Sequence, residues 1–250
     1  MKNLNATKLQ ILVLALSTLG APQAFAGKPG GGGSAGVVTI DRDNAAAGGV
    51  TNGDAPGFPV TLSEPGSYRL ESNLTVLDAS TTAIEITADD VTVDLNGFVV
   101  SGPNVCPSPG VCDFSFGGTG IVSTADHSTI LGGTVRGMGG AAIALGKYAR
   151  VERVDVRHNG SIGIRVGLDS LVSDSVAELN FTYGLSAGNG SLVLRNIFSR
   201  NKNGAFVNDP VPTTSKVVMG SNVFVLNSIQ ALVGNPVQIL PNVCFGVNCF

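Results

Sequence analysis

Apolar and polar residues alternate in short runs along most of this chain. Residues 91–95 read Val-Thr-Val-Asp-Leu, and residues 154–156 read Val-Asp-Val. Alternation with a period of two predicts short β-strands with one buried face. No window of about a dozen residues has the 3.6-residue spacing of an amphipathic helix. The pattern therefore predicts an all-β fold.

The alternation itself recurs every 21 residues from position 130 onward, which indicates a repeat architecture. Its columns are Ile130, Val151, Val172 and Val193; Val135, Val156, Ala177 and Phe198; Ile143, Ile164, Leu185 and Phe206; Gly146, Gly167 and Gly188; and Asn159, Asn180 and Asn201. After an insertion near residues 209–213, Asn201 maps to Asn227 and Phe206 to Leu232. Residues 88–102 match 125–139 at an offset of 37, which implies a 16-residue excursion within 101–118.

These offsets predict a single-stranded parallel β-helix of about six or seven coils, with 21 residues per coil, between residues 82 and 234. Three short strands and three turns fit one coil, and stacked coils would lie ~4.8 Å apart. A leucine-rich repeat is the competing architecture, because residues 151–159 fit its template. However, Gly133, Ser175 and Asn196 stand where that template needs a buried leucine. We therefore expect the β-helix.

The chain divides into five predicted segments. Residues 1–26 resemble a secretory signal peptide, since a dense apolar run precedes Ala24-Phe25-Ala26, a small-x-small cleavage pattern. Residues 27–36 form a Gly-rich flexible leader, 37–80 an N-terminal cap, 81–234 the β-helix, and 235–250 a C-terminal cap with a cysteine pair. The expected location is the periplasm or the exterior. No membrane insertion is expected after cleavage, because no later stretch is apolar enough to span a bilayer.

The four cysteines form two close pairs, Cys106 with Cys112 and Cys244 with Cys249. Three pairings are possible, and sequence alone does not choose among them. Local disulfides suit an exported protein, because the compartment is oxidising. Neither histidine is near these pairs and neither spacing is typical of zinc, so we expect no metal and no cofactor.

Composition excludes some partners. Among 250 residues, 43% are hydrophobic and only 13% charged, and the net charge is −3. A weakly acidic chain argues against nucleic acid, because phosphate binding needs clustered Lys and Arg. Trp is absent and only three Tyr occur, in different columns, which lowers the expectation of tight sugar binding.

The catalytic candidates are Asp89, Asp90, Asp94, Asp126 and His127. The 37-residue offset places Asp89 beside Asp126 and Asp90 beside His127. Neighbouring carboxylates can share a proton, and a His beside an Asp can act as a base. The simpler interpretation is that polar residues before a strand form turns.

Other polar columns lie at the same spacing. Arg136 and Arg157 are candidate ligands for acidic sugars, because guanidinium groups bind carboxylates bidentately. Arg153, Asp174 and Arg195 form a charge column in which opposite charges would be neighbours. The Asn column is interpreted as structural, because Asn side chains can bond along a stack and tolerate left-handed backbone.

Residues 86–103 (ITADDVTVDLNGFVVSGP), led in by residues 57–76, resemble the right-handed parallel β-helix superfamily, which includes pectate-lyase-like proteins. The resemblance covers about residues 57–234 and is closest to exported bacterial members with no assigned activity. It implies the fold, with enzymes on polysaccharides, adhesins and passive surface proteins among its members. Of the motifs typical of polygalacturonase-type members, only Asp89-Asp90 matches.

Two function classes follow. The first is a non-catalytic exported solenoid that contacts polysaccharide or another surface component. The alternative is a polysaccharide-processing enzyme of the lyase, hydrolase or epimerase type with a carboxylate site. We expect the first, since no acidic residue completes a motif of those enzymes. We also expect the excursion within 101–118 to project from the solenoid, closed by Cys106 and Cys112.

Overall fold

The computed structural model describes residues 36–207 and 216–246. The predicted signal peptide, nearly all of the leader and Cys249 lie outside the described residues. Within them, the chain winds as a stack of three-sided coils, with strand β1 (Val38–Ile40) and helix α1 (Arg42–Ala47) before the first coil.

Eight coils follow in chain order. The first two are β2 (Val60–Leu62), β3 (Gly66–Leu70), β4 (Leu74–Thr75), and β5 (Ile84–Ile86), β6 (Val91–Asp94), β7 (Val99–Ser101). The third and fourth are β8 (Ile121–Ser123), β9 (Thr129–Arg136), and β10 (Ile143–Ala144), β11 (Arg150–Arg157). The fifth and sixth are β12 (Ile164–Val166), β13 (Leu171–Ser173), β14 (Val176–Glu178), and β15 (Tyr183–Ala187), β16 (Leu192–Leu194), β17 (Ile197–Ser199). The last two are β18 (Asn203–Val207), β19 (Val218–Gly220), β20 (Val223–Val225), and β21 (Gln230–Val233), β22 (Val237–Gln238), β23 (Val243–Phe245).

The strands form three faces, all with parallel pairing between coils. Face 1 is an eight-stranded sheet in the order β2-β5-β8-β10-β12-β15-β18-β21. Face 2 contains β1-β3-β6-β9-β11-β13-β16-β19-β22, and face 3 contains β4, β7, β14, β17, β20 and β23. Faces 2 and 3 count as one 15-stranded sheet because β9 and β11 each run around the corner between them.

The predicted core column of Val151, Val172 and Val193 is confirmed. Val151 pairs with Val172, and Val172 with Val193, in register, and all three side chains are fully buried. Alternate residues point inward along each strand, so apolar side chains of successive coils pack above one another inside the solenoid. The span 81–234 holds six coils and part of the eighth, in agreement with the predicted number. The stack extends beyond that span at both ends.

One column of the sequence analysis is wrong. Phe206 does not follow Leu185 in the interior; Leu185 pairs with Ala205, and Phe206 pairs with Ser186 on the outer surface. The next coil keeps this register, with Ala205 opposite Leu232. The step from β15 to β18 is 20 residues rather than 21, and a slip of one residue moves a side chain to the opposite face.

Each corner combines a left-handed residue with a small or amide residue that turns inward. At the corner from face 3 to face 1, His158, Leu179, Arg200 and Leu226 have φ of 51–57°, and the next residues are the predicted Asn column. The left-handed backbone therefore belongs to the residue before each Asn, not to the Asn itself. Left-handed backbone costs Leu179 about 1 kcal/mol or more. The buried amides that follow offset this cost.

The Asn column is a hydrogen-bonded ladder inside that corner. Asn159 Nδ2 donates to Asn180 Oδ1 at 2.8 Å, Asn180 Nδ2 to Asn201 Oδ1 at 3.0 Å, and Asn201 Nδ2 to Asn227 Oδ1 at 3.3 Å. A second ladder, which the sequence analysis missed, runs through the corner between faces 2 and 3. Its members are Asn196, Asn222 and Asn242.

The two ends differ from their predicted boundaries. Residues 37–80 contain a cap, built from β1 and α1, and also the complete first coil. Asp41 caps α1 by accepting from the amides of Asp43 and Asn44. Residues 235–246 form β22 and β23, which pair with β19 and β20 as part of the eighth coil rather than as a separate cap. Among the described residues, no helix is long and apolar enough to cross a membrane.

The excursion lies against the corner between faces 3 and 1. Asn104 is buried and its Nδ2 donates to the carbonyls of Phe114 and Met138 at 3.0 and 3.1 Å. The amide of Phe116 donates to Gly160 O at 3.2 Å. Cys106 and Cys112 form a disulfide, which confirms that local pair. The expectation that the segment projects is wrong, because its backbone bonds to neighbouring corners. Cys244 is disulfide-bonded, and its predicted partner Cys249 is outside the described residues.

Candidate functional site

A groove of about 760 Å³ runs along the outside of face 1. Its floor is the outward column of the middle coils: Val122, Ala144, Arg165, Ser186 and Phe206. Four steps of the ~4.8 Å strand spacing make this floor roughly 19 Å long. One rim is the corner between faces 1 and 2, where Asp126, Lys147 and Leu168 line the groove. The volume lies in the range of small-molecule sites.

An aromatic pair lies at one end of the groove. The rings of Tyr183 and Phe206 have centroids 5.3 Å apart and are tilted by 46°. Both rings are partly exposed, so they offer an apolar surface with a π face. The sequence analysis missed this pair because it placed Phe206 in the core. The signal that could have found it was the shortened step between Leu185 and Ala205.

The groove carries two cations without carboxylate partners among the described residues. Arg165 stands in the floor and Lys147 on the rim, and both side chains are exposed. Most of the other arginines of the middle coils have an acidic neighbour; the pairs are Arg150 and Arg153 with Glu152, Arg157 with Asp155, Arg195 with Asp174, and Arg200 with Glu178. Among the residues that the structure describes, Asp126 is the only acidic side chain that lines this groove, so this part of the groove is locally cationic in an acidic chain.

Four of the five catalytic candidates come together at the corner between faces 1 and 2. Asp89 Oδ1 accepts from the amide of Asp126 at 2.8 Å. Asp126 Oδ1 in turn accepts from the amide of Lys147 at 3.3 Å. These carboxylates therefore bond to backbone amides of the next coil, as turn residues do.

Asp90 and His127 are neighbours on the outside of the same corner. Their closest side-chain atoms, Oδ1 and Nδ1, are 3.6 Å apart, and 74% and 54% of the two side chains is exposed. The His127 ring stacks on Tyr148 with centroids 5.0 Å apart. Neither residue lines the groove. Of the acidic candidates, only Asp126 faces it.

The fifth candidate, Asp94, lies elsewhere. It belongs to β6 at the corner between faces 2 and 3, where its carboxylate accepts from the amide of Asn96 at 2.8 Å. Arg69 is its ion-pair partner at 3.6 Å. The structure thus separates Asp94 from the other four carboxylate and imidazole candidates.

Arg136 and Arg157 are neighbours on face 3, in register as the repeat places them. Arg157 pairs with Asp155 at 3.4 Å. Arg136 instead borders a depression of about 360 Å³ beside the excursion, together with His158. His158 Nδ1 lies 3.0 Å from the carbonyl oxygen of Cys106. The two arginines therefore face different partners and do not converge on one ligand.

Three carboxylates outside the groove have a shifted pKa. The pKa of Asp78 is lowered because the amide and the hydroxyl of Ser80 donate to its carboxylate. Burial raises the pKa of Asp155, although the guanidinium of Arg157 acts in the opposite direction. The pKa of Asp174 is lowered, chiefly because Arg195 donates two hydrogen bonds of 2.7 Å to it. In the predicted charge column of Arg153, Asp174 and Arg195, the step from Asp174 to Arg195 is thus an ion pair. In the part of the chain that the structure describes, no group of three or more His, Cys, Asp or Glu could hold a metal ion.

A three-faced parallel β-solenoid with a shallow cationic groove is the class that these features define. The family described as "Right handed beta helix region" matches residues 67–238. The chain belongs to this right-handed β-helix family, which confirms the fold and the resemblance. No curated protein and no solved structure matches the chain.

Proposed function

We propose that this β-helix protein is a non-catalytic binding protein for acidic polysaccharide, with the groove of face 1 as its binding site. The observation that carries the proposal is the Tyr183–Phe206 pair beside Arg165, a guanidinium without a carboxylate partner among the described residues. Aromatic faces favour contact with the apolar face of a sugar ring. Arginine forks bind carboxylates bidentately.

Charge supports an acidic ligand rather than a neutral one. The chain has a net charge of −3, yet within residues 36–207 and 216–246 the groove presents Arg165 and Lys147 against one carboxylate, that of Asp126. A cationic cleft concentrates anions near it. An elongated floor over several coils also suits a polymer better than a compact metabolite. We place this activity outside the cytoplasm, on the strength of the predicted signal peptide.

The enzyme alternative receives less support from the arrangement of the acidic groups. Most glycoside hydrolases use two carboxylates that flank the scissile bond. Here Asp126 is the one carboxylate of the described residues that faces the groove, and Asp90 and His127 lie on the outside of the corner. The geometry is that of a contact surface.

The test is calorimetric titration of the purified chain with a uronic-acid oligosaccharide and with a neutral oligosaccharide of equal length. We expect binding of the acidic probe alone, weakened by added salt. Arg165→Ala should raise the Kd roughly tenfold or more, since hydrogen bonds to charged groups contribute about 1.5–3 kcal/mol. Tyr183→Ala should weaken binding by a similar factor, and Arg165→Lys by less.

Arg150→Ala is the matched control, because Arg150 is an exposed arginine on face 2, away from the groove. Its Kd should equal that of the unaltered protein. Equal binding of the neutral probe, or equal loss of affinity in Arg150→Ala and Arg165→Ala, would contradict the proposal. Release of shortened sugars during the titration would instead support the enzyme alternative.

A further inference from the structure

Among the described residues, the strands of the eighth coil form the outermost row of strand edges at this end of the stack. On each face its strand has one strand neighbour: β21 pairs with β18, β22 with β19 and β23 with β20. Across residues 36–207 and 216–246, no strand pairs with the other side of these three. An open edge displays backbone N–H and C=O groups that are ready to pair with another chain.

The backbone of β22 shows which groups face outward. The amides of Val237 and Ile239 donate to the carbonyls of Val217 and Met219, at 2.9 and 3.0 Å. Alternate residues of a parallel strand bond to opposite neighbours, so the amide of Gln238 faces the open side. This amide is a donor available to a further strand.

The same end carries no charged side chain among residues 217–246 and has much exposed apolar surface. Lys216 is the last charged residue, and residues 217–250 contain no Asp, Glu, Lys or Arg. Large side chains here are 44–61% exposed; they include Leu226, Val237, Ile239, Leu240, Val243 and Phe245. Natural edge strands are protected by charged side chains, by proline or by being very short. The two-residue strand β22 has Pro236 before it and lacks the charged side chains. Loss of charge with enriched apolar surface is the composition of an interface core.

The other end of the solenoid is protected, which limits how copies can associate. On face 2, β1 pairs with the outer edge of β3. On face 1, Asp54 Oδ1 accepts from the amide of Thr61 at 2.7 Å, and Thr51 Oγ1 donates to the Thr61 carbonyl at 2.6 Å. Head-to-tail stacking is therefore obstructed on two of the three faces.

We propose that two copies of this chain associate through their eighth coils. The outer edge of β22 lies antiparallel to the same edge of the second copy, as a two-fold axis through face 2 requires. Such an interface is self-complementary and closes after two copies. Two acidic chains repel each other over most of their surfaces, and the uncharged end is where they meet without that repulsion.

The test measures molar mass by sedimentation over a wide range of protein concentration, with disulfides intact. The expected result is a dimer that dissociates on dilution. Ile239→Lys places a charge in the interface and should raise the dissociation constant at least tenfold. Gln238→Pro removes the outward amide without touching the bonds of Val237 and Ile239 to the preceding coil, and should act likewise.

Leu77→Lys is the control, because Leu77 is 89% exposed and lies in the first coil's connection, far from the eighth coil in the stack. It should remain dimeric. Circular dichroism melting identifies any variant that fails to fold. If Ile239→Lys fails to fold, the result for Gln238→Pro decides the test. A monomer at every concentration, polymers that lengthen with concentration, or dissociation by Leu77→Lys as by Ile239→Lys would each overturn the proposal.

Discussion

Asn159 and Asn180 are 21 residues apart in sequence and share a hydrogen bond of 2.8 Å inside the solenoid. Asn180 Oδ1 accepts from the side chain and also from the backbone amide of Asn159, at 3.3 Å. Asn180 Nδ2 donates to Asn201 Oδ1 and to the carbonyl of Val156. One side chain thus satisfies polar groups of three successive coils.

Asn180→Ala should therefore lower the free energy of unfolding by at least about 2 kcal/mol, because each buried polar group left unpaired costs about 1–3 kcal/mol. Urea denaturation measures this change. Asn52→Ala is the control, since Asn52 is an exposed residue of the N-terminal region, and its stability should be unchanged within ~0.5 kcal/mol. An equal, small effect in both variants would show that the ladder contributes little.

Loss of the Cys106–Cys112 disulfide should loosen the excursion without unfolding the coils. The bridge spans six positions, and closing so short a loop contributes roughly 2 kcal/mol. In the double variant Cys106→Ala/Cys112→Ala, hydrogen exchange should accelerate for residues 104–116 and stay slow in β11 and β13. Ser115→Ala is the control, because it changes the excursion but keeps the disulfide. It tests whether any substitution in the excursion accelerates exchange there. Faster exchange throughout face 2 would mean that the excursion supports the core.

Asp155 should make stability depend on pH. Burial raises its pKa above 3.8, so its charge destabilises the folded state once the pH rises through the raised value. Asp155→Asn should be more stable at neutral pH and equal to the parent below about pH 3.8, where the carboxyl is protonated in both states. Solvent screening and the lost contact with Arg157 keep the gain under about 1 kcal/mol.

The measurement is thermal unfolding of both proteins across the acidic range. Asp113→Asn, an exposed change in the excursion, should show no such pH-dependent gain. A stability advantage of Asp155→Asn that persists at low pH would exclude titration of Asp155 as its source.

Asp90→Ala and His127→Ala should leave binding of an acidic oligosaccharide unchanged, because both side chains lie outside the groove. No product should be released by the parent protein or by either variant. Chromatography of the reaction mixture gives the result. Product release that accompanies the protein through purification and disappears in either variant would assign catalysis to this corner.

The fold could be predicted because the 21-residue period records stacking directly. Val151, Val172 and Val193 occupy equivalent places in successive coils. Their recurrence in the sequence therefore shows which side chains contact one another. The Asn ladder followed for the same reason. The second ladder was missed, since Ser175 stands where Asn196 and Asn222 stand later, and the step between the two Asn is 26 residues.

The groove could not be predicted in this way. Outward positions are free of packing constraints, so Ala144, Arg165 and Ser186 share no pattern that marks them as one surface. The aromatic pair of Tyr183 and Phe206 depends on the step from β15 to β18 being one residue shorter than the repeat. An apolar Phe206 fits an interior column by type, and only the paired register shows that it faces solvent.

The corner amides also make the length of this protein adjustable. Removal of residues 160–180 would join Asn159 to Phe181 and bring Asn159 next to Asn201, an amide of the same kind in the same corner. The product would lack one coil and be shorter by ~4.8 Å. Phe181 would then stand in the place of Gly160, where a side chain presses on the carbonyls of Gly139 and Phe114, so a glycine is needed at this junction. A gene that gains or loses 63 nucleotides here therefore changes the span of the groove by one whole coil, provided that the position of Gly160 beside the excursion keeps a glycine.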